Sequence, residues 1–135
     1  MSILVDSSVW IDYFRKSETD VNQDLLDELD MLIDENIVVT NDLILTELIP
    51  FLRVKKKRKL ISILNTIERV PLNIVWQKLI DIQVQCIKNG INKIGIPDLI
   101  IAQNALQNYL TLFTFDKHFK LMSDKSIKLK IYEKV

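Results

Sequence analysis

The chain has 135 residues, 48% apolar and 27% charged, with one cysteine and two glycines; it is long enough to bury a core without disulfides or a structural metal. So few glycines exclude a phosphate-binding loop or a dinucleotide-binding fingerprint. Net charge is formally zero but segregated, with twelve acids against two bases in residues 1–50 and six acids against sixteen bases in residues 51–135, a division that allows an acidic pocket beside a basic surface.

No secretory signal and no apolar run long enough to span a bilayer is visible, and unpaired Cys86 suits a reducing compartment. The expectation is one domain over residues 1–135, cytoplasmic and without membrane contact.

Ile3-Leu4-Val5 reads as a strand buried on both faces, closed by Asp6-Ser7-Ser8 ahead of a short helix from Ser8 to Phe14. Asp6 thus sits at the carboxyl end of a central strand, where open α/β sheets bind ligands. A helix cap is the plainer reading of this aspartate when it is taken alone. A polar connection follows from Arg15 to Asn22. Leu25, Leu26, Leu29, Leu32 and Ile33 then recur at helical spacing, and the acids between them form a solvated face with no assigned chemistry.

Ile37-Val38-Val39-Thr40 is the second buried strand, and Asn41-Asp42 offers caps for a helix from about Leu43. Glu47 has only apolar or small neighbours there, an expensive place for an unpaired charge. Pro50 lacks the amide that would bond the Thr46 carbonyl, so a kink or helix end is expected just beyond Glu47.

Arg53, Lys55, Lys56, Lys57, Arg58 and Lys59 place six bases in seven residues. They offer phosphate contacts, although a solvated helix entry is the commoner meaning of such a run. It leads into a helix carrying Leu60, Ile61, Ile63, Leu64 and Ile67 at helical spacing. Val70-Pro71-Leu72 reads as a short strand or crossing segment. Asn73 is expected to cap a helix that turns Trp76, Leu79, Ile80, Val84 and Ile87 inward and closes at Lys88-Asn89-Gly90.

Pro97 suits the first turn of the next helix, and Asp98 shares a face with Ile101, Ala102 and Ala105 where an ordinary first-turn acid would face water. Leu110 to Phe115 is a further buried strand, ending in Asp116. His118, the only histidine, has no companions for a metal site or triad in the sequence and reads as a surface or turn residue. Ile127, Leu129 and Ile131 alternate with lysines, which describes an edge strand.

Strands alternating with helices imply a mainly parallel sheet whose strand carboxyl ends share one edge. Asp6, Glu47, Asp98 and Asp116 would all reach that edge. Four adjacent carboxylates need a cation to stay ionised together. Oxygen donors without Cys, and without a suitable His, favour Mg²⁺ or Mn²⁺ over zinc, and phosphodiester hydrolysis is the chemistry that fits best.

In order and spacing, Ile3-Leu4-Val5-Asp6-Ser7-Ser8-Val9-Trp10-Ile11-Asp12, Thr46-Glu47-Leu48, Ile96-Pro97-Asp98-Leu99-Ile100-Ile101-Ala102 and Thr114-Phe115-Asp116-Lys117-His118-Phe119 resemble PIN-domain ribonucleases, among them VapC-type toxins. The resemblance implies a three-layer α/β/α sandwich and Mg²⁺ or Mn²⁺ held by Asp6, Glu47, Asp98 and Asp116. It further implies endonucleolytic RNA cleavage assisted by a hydroxyl among Ser7, Ser8 and Thr114, and a homodimer inhibited by a small antitoxin. The basic run lies outside the shared pattern. Two other readings compete: a catalytically inactive PIN-fold module that binds RNA or a partner, and a phosphate-accepting receiver domain. The second is weakened because Ile37-Val38-Val39-Thr40 ends without an acid.

Overall fold

The structure, a computed structural model, describes residues 1–15 and 23–133 apart from the side chain of Leu25. The expected connection beyond Arg15 and the inward placement of Leu25 fall outside the described residues. In chain order the elements are β1 (Ile3–Val5), α1 (Ser7–Phe14), α2 (Gln23–Asp34), β2 (Val38–Thr40), α3 (Asp42–Val54) and α4 (Arg58–Thr66). They continue as β3 (Glu68–Arg69), α5 (Trp76–Lys88), α6 (Ile96–Gln107), β4 (Thr111–Phe113), α7 (Lys117–Lys125) and β5 (Lys130–Ile131).

All strand pairs are parallel, in the order β3-β2-β1-β4-β5. The chain therefore steps outward from β1 to β3, then crosses back to β4 on the other side of β1. Right-handed crossovers put the first set of helices on one face and the later set on the other, giving an α/β/α sandwich. The direction of winding reverses between β1 and β4, and such a switch point opens a crevice at the strand carboxyl ends. Residues Ile3, Leu4, Val5, Trp10 and Leu112 are fully buried around it.

Several local expectations change. Helix α3 does not end at Pro50 but runs on to Val54. Leu48 and Leu52, 4% and 3% exposed, anchor both sides of the proline; each contributes about 1.5–3 kcal/mol of burial, which offsets the ~3 kcal/mol cost of an interior proline. Helix α5 begins at Trp76 with no side-chain cap, so Asn73 does not start it. Its buried residues are Leu79, Ile82 and Cys86, while Trp76, Ile80, Val84 and Ile87 face outward. Both sets obey helical spacing, and the apolar pattern alone does not choose between them.

The segment between β3 and α5 is a crossing held by α6. Gln103 grips Val75 twice, accepting from its N–H and donating to its carbonyl, each at 3.0 Å. Asn104 Nδ2 donates to the Pro71 carbonyl at 3.1 Å, and Gln107 Nε2 to the Asn73 carbonyl at 2.8 Å. The strand near this segment is Glu68–Arg69, not Val70–Leu72, although the Val70 N–H still bonds the Thr40 carbonyl.

Among the described residues, four helices leave through the same reversal. After α2, α3, α5 and α6, a residue at positive φ (Asn36, Lys56, Gly90, Tyr109) donates three residues back, and its successor donates five back. This is the Schellman arrangement, which ordinarily favours glycine at the left-handed position. Only Gly90 supplies one.

Candidate active site

The switch point is built from short local rules. Asp6 caps α1, and its longest bond, from the Ser8 N–H at 3.4 Å, is the capping one. The shorter bonds come from hydroxyls: Ser8 Oγ donates to Asp6 Oδ2 at 2.7 Å and Thr114 Oγ1 at 3.0 Å. Ser8 Oγ also accepts from the Phe115 N–H, and Thr114 Oγ1 from the Asp116 N–H, both at 3.0 Å. Two hydroxyls thus stitch the end of β1 to the end of β4 and fix the side chain of Asp6, a residue only 4% exposed. Ser7 turns the other way, donating weakly to Glu47 Oε1 at 3.4 Å.

Asp116 caps α7, accepting from the His118 N–H at 2.9 Å. His118 Nδ1 lies 3.1 Å from the same carboxyl oxygen. Asp98 enters from the first turn of α6, half-buried. Its carboxyl is raised above the usual range, first by burial, then by the charges of Asp116 and Asp6, with His118 pulling it down. Glu47 reaches in from α3, exposed as a residue at the lip, yet its carboxyl is also raised by desolvation and by Asp6 and Asp98, against the Ser7 hydrogen bond. The four predicted acids, from four segments, are therefore linked through Asp98, which senses Asp6 and Asp116 and is itself sensed by Glu47.

Among the described residues, Asp98, Asp116 and His118 each present an atom such that all lie within 4.8 Å of one another. Carboxyls whose proton affinity is raised by burial and by one another's charge are the donor set a divalent cation relieves, so the residues fit a metal. His118, expected from the sequence to be a surface or turn residue without companions, is exposed but belongs to this cluster. Its position two residues after Asp116 is the signal that could have found it. A histidine donor also weakens the exclusion of zinc-like ions argued from oxygen ligands alone.

Glu47 further lines a groove of about 640 Å³ between α1, α3 and the start of α4. Ile11 and Phe14 form one wall, Leu48 and Leu52 belong to the floor, and Phe51, Lys55 and Lys57 continue along it. Of the basic run, Lys55 and Lys57 enter this groove, while Arg53 faces a separate depression with Asp42 and Arg69. Lys56, Arg58 and Lys59 are exposed and line neither.

Fold and site together define a doubly wound α/β domain with an acidic cup at its switch point. The chain belongs to the PIN-domain family, whose profile matches residues 3–125. Similar solved structures include the VapBC2 complex of Rickettsia felis bound to a promoter DNA fragment, at 22% identity, 98% coverage of both chains and a TM-score of 0.71. FitAcB of Neisseria gonorrhoeae is 21% identical, covering 97% of this chain and 96% of that one, with a TM-score of 0.70. VapBC-1 of nontypeable Haemophilus influenzae is 18% identical over 98% of both chains, with a TM-score of 0.62. No curated protein sequence matches.

Proposed function

We propose that residues 1–135 act as one PIN domain that hydrolyses RNA phosphodiester bonds with Mg²⁺ or Mn²⁺, as the cytoplasmic toxin of a toxin–antitoxin pair. The observation that carries the reading is that Glu47 is charge-coupled to Asp6 and Asp98, and Asp98 to Asp6 and Asp116, at the β1/β4 switch point. PIN domains are generally nucleases, and the similar structures are two-component complexes, which favours a small protein antitoxin as partner.

Asp6, Asp98 and Asp116 would hold the cation, with Glu47 closing the cup from α3. When bound, the ion supplies a water of lowered pKa and polarises a phosphoryl oxygen. Ser8 and Thr114 keep Asp6 in one orientation, so that no reordering is needed when the substrate arrives. His118 fixes Asp116 in the same way.

Asp6→Asn and Asp98→Asn are the test, because asparagine keeps the shape and, at position 6, the cap. RNA cleavage is expected to fall at least about a hundredfold in each, with the fold retained by circular dichroism. Full activity in both variants would sink the assignment. The inactive-module alternative predicts instead that calorimetric titration with Mn²⁺ shows no carboxylate-dependent binding.

A further inference from the structure

The close group of donor atoms at the switch point is not made of acids alone. Among the described residues, Asp98, Asp116 and His118 each bring one ligand atom within 4.8 Å of the other two, and the group does not include Asp6 or Glu47. Asp6 is already occupied: its Oδ2 accepts from Ser8 Oγ, Thr114 Oγ1 and the Ser8 N–H. His118 Nδ1, by contrast, lies 3.1 Å from Asp116 Oδ1. Two ligands at right angles on an ion with bonds of about 2.1 Å stand roughly 3 Å apart, and opposite ones roughly 4.2 Å. The spacing of this group therefore suits a single ion. The imidazole leaves the first turn of α7, where the His118 N–H bonds the Asp116 carboxyl at 2.9 Å, so acid and ring are carried by one local turn.

The geometry points to His118 as a direct nitrogen ligand of the bound ion, beside Asp98 and Asp116, and through it to a site that selects Mn²⁺ over Mg²⁺. The inference rests on the metal-dependent nuclease reading and names which of the two ions that site takes. With the ion in place, the imidazole carries its proton on Nε2, and the Nδ1 lone pair turns to the metal. Imidazole nitrogen suits first-row transition ions, whereas Mg²⁺ demands an octahedral oxygen shell and gives up its waters reluctantly. A nitrogen in the shell thus favours Mn²⁺ and penalises Mg²⁺. The discrimination is against Mg²⁺ and does not reverse the general order among transition ions, which cellular availability decides. The competing role is positional, with the imidazole only orienting Asp116 through a hydrogen bond. Such a role acts on an oxygen ligand and is indifferent to the ion that oxygen binds.

His118 is the only histidine in the chain, so in the untagged full-length protein an imidazole signal on the ion has one source. Pulsed electron paramagnetic resonance of the Mn²⁺-loaded protein should show a directly bonded nitrogen that changes when histidine is labelled with heavy nitrogen and disappears in His118→Ala. The side chain is 53% exposed, so its replacement leaves the core undisturbed. In calorimetric titration, His118→Ala should weaken Mn²⁺ binding at least about tenfold and leave Mg²⁺ binding close to that of the parent. His118→Asp, which exchanges the nitrogen for an oxygen, should move the preference towards Mg²⁺. Mn²⁺ binding that is lost in Asp98→Asn yet shows no bonded nitrogen in the parent overturns the ligand role, while the metal site and the nuclease reading stand. Equal losses of Mn²⁺ and Mg²⁺ affinity in His118→Ala also overturn it, in favour of the positional role. Absence of any carboxylate-dependent ion binding overturns the metal-dependent nuclease reading and the histidine ligand together.

Discussion

Asp98 and Glu47 have folded-state proton affinities raised above their ordinary values, and the sign of the consequence is definite. Between the unfolded value, about 4, and the raised folded value, the native state holds more protons than the unfolded chain. The metal-free protein accordingly loses stability as pH rises through that window and stays less stable above it. Scanning calorimetry of the metal-free protein should show Asp98→Asn melting higher than the parent at pH 7, with the gain vanishing below about pH 4. An equal difference at both pH values would contradict the repulsion. Divalent metal affinity should move the other way, falling as pH drops through the same window, because protons compete for the carboxylates. At this scale Asp98 stood out by its place on an apolar helix face, whereas Asp6, a plain cap when taken alone, stood out only beside the other acids. His118 carried only the weak signal of lying two residues after Asp116, because the third member of its cluster, Asp98, is twenty residues upstream and only folding brings it near.

Among the elements, the least legible were those set by side-chain amides. Nothing in the spacing of Gln103, Asn104 and Gln107 says that they hold residues 71–75, since polar residues late in a helix normally face water. Gln103 is 2% exposed, so Gln103→Leu should strand the Val75 N–H and carbonyl. Denaturant unfolding is expected to register a loss of about 1–3 kcal/mol. The reversal after α3 should respond oppositely. Lys56 adopts φ 55°, a region that costs a side chain roughly 1–2 kcal/mol, so Lys56→Gly should stabilise the fold, and no gain in unfolding midpoint would refute this. The alternation of β1, β2 and β4 with helices was readable because each buried strand is a compact apolar run. The two-residue β3 and the inward face of α5 were not: Glu68 and Arg69 carry no strand pattern, and α5 is apolar on two sides.

At the level of the whole molecule, the winding order does what no motif does. It brings residues 6, 47, 98 and 116 to one edge through crossovers of fixed hand, and this is why the topology inferred from alternating strands and helices sufficed to collect the acids. The row Trp76, Ile80, Val84 and Ile87 along α5 is exposed, each residue at least 41%, and is the apolar face on which the expected self-association is to be tested. Pairing of two copies through α5 predicts that Ile80→Glu shifts the sedimentation coefficient to that of a monomer at micromolar concentration. A native protein already monomeric there would rule the pairing out.

The outer strands β3 and β5 contain two residues apiece, and Glu68, Arg69 and Lys130 on them are exposed. So short and so charged a border gives an incoming polypeptide almost no ladder to extend. Docking by strand addition is therefore disfavoured, and blocking reagents would do better to address the helical faces or the cup than to add a ribbon.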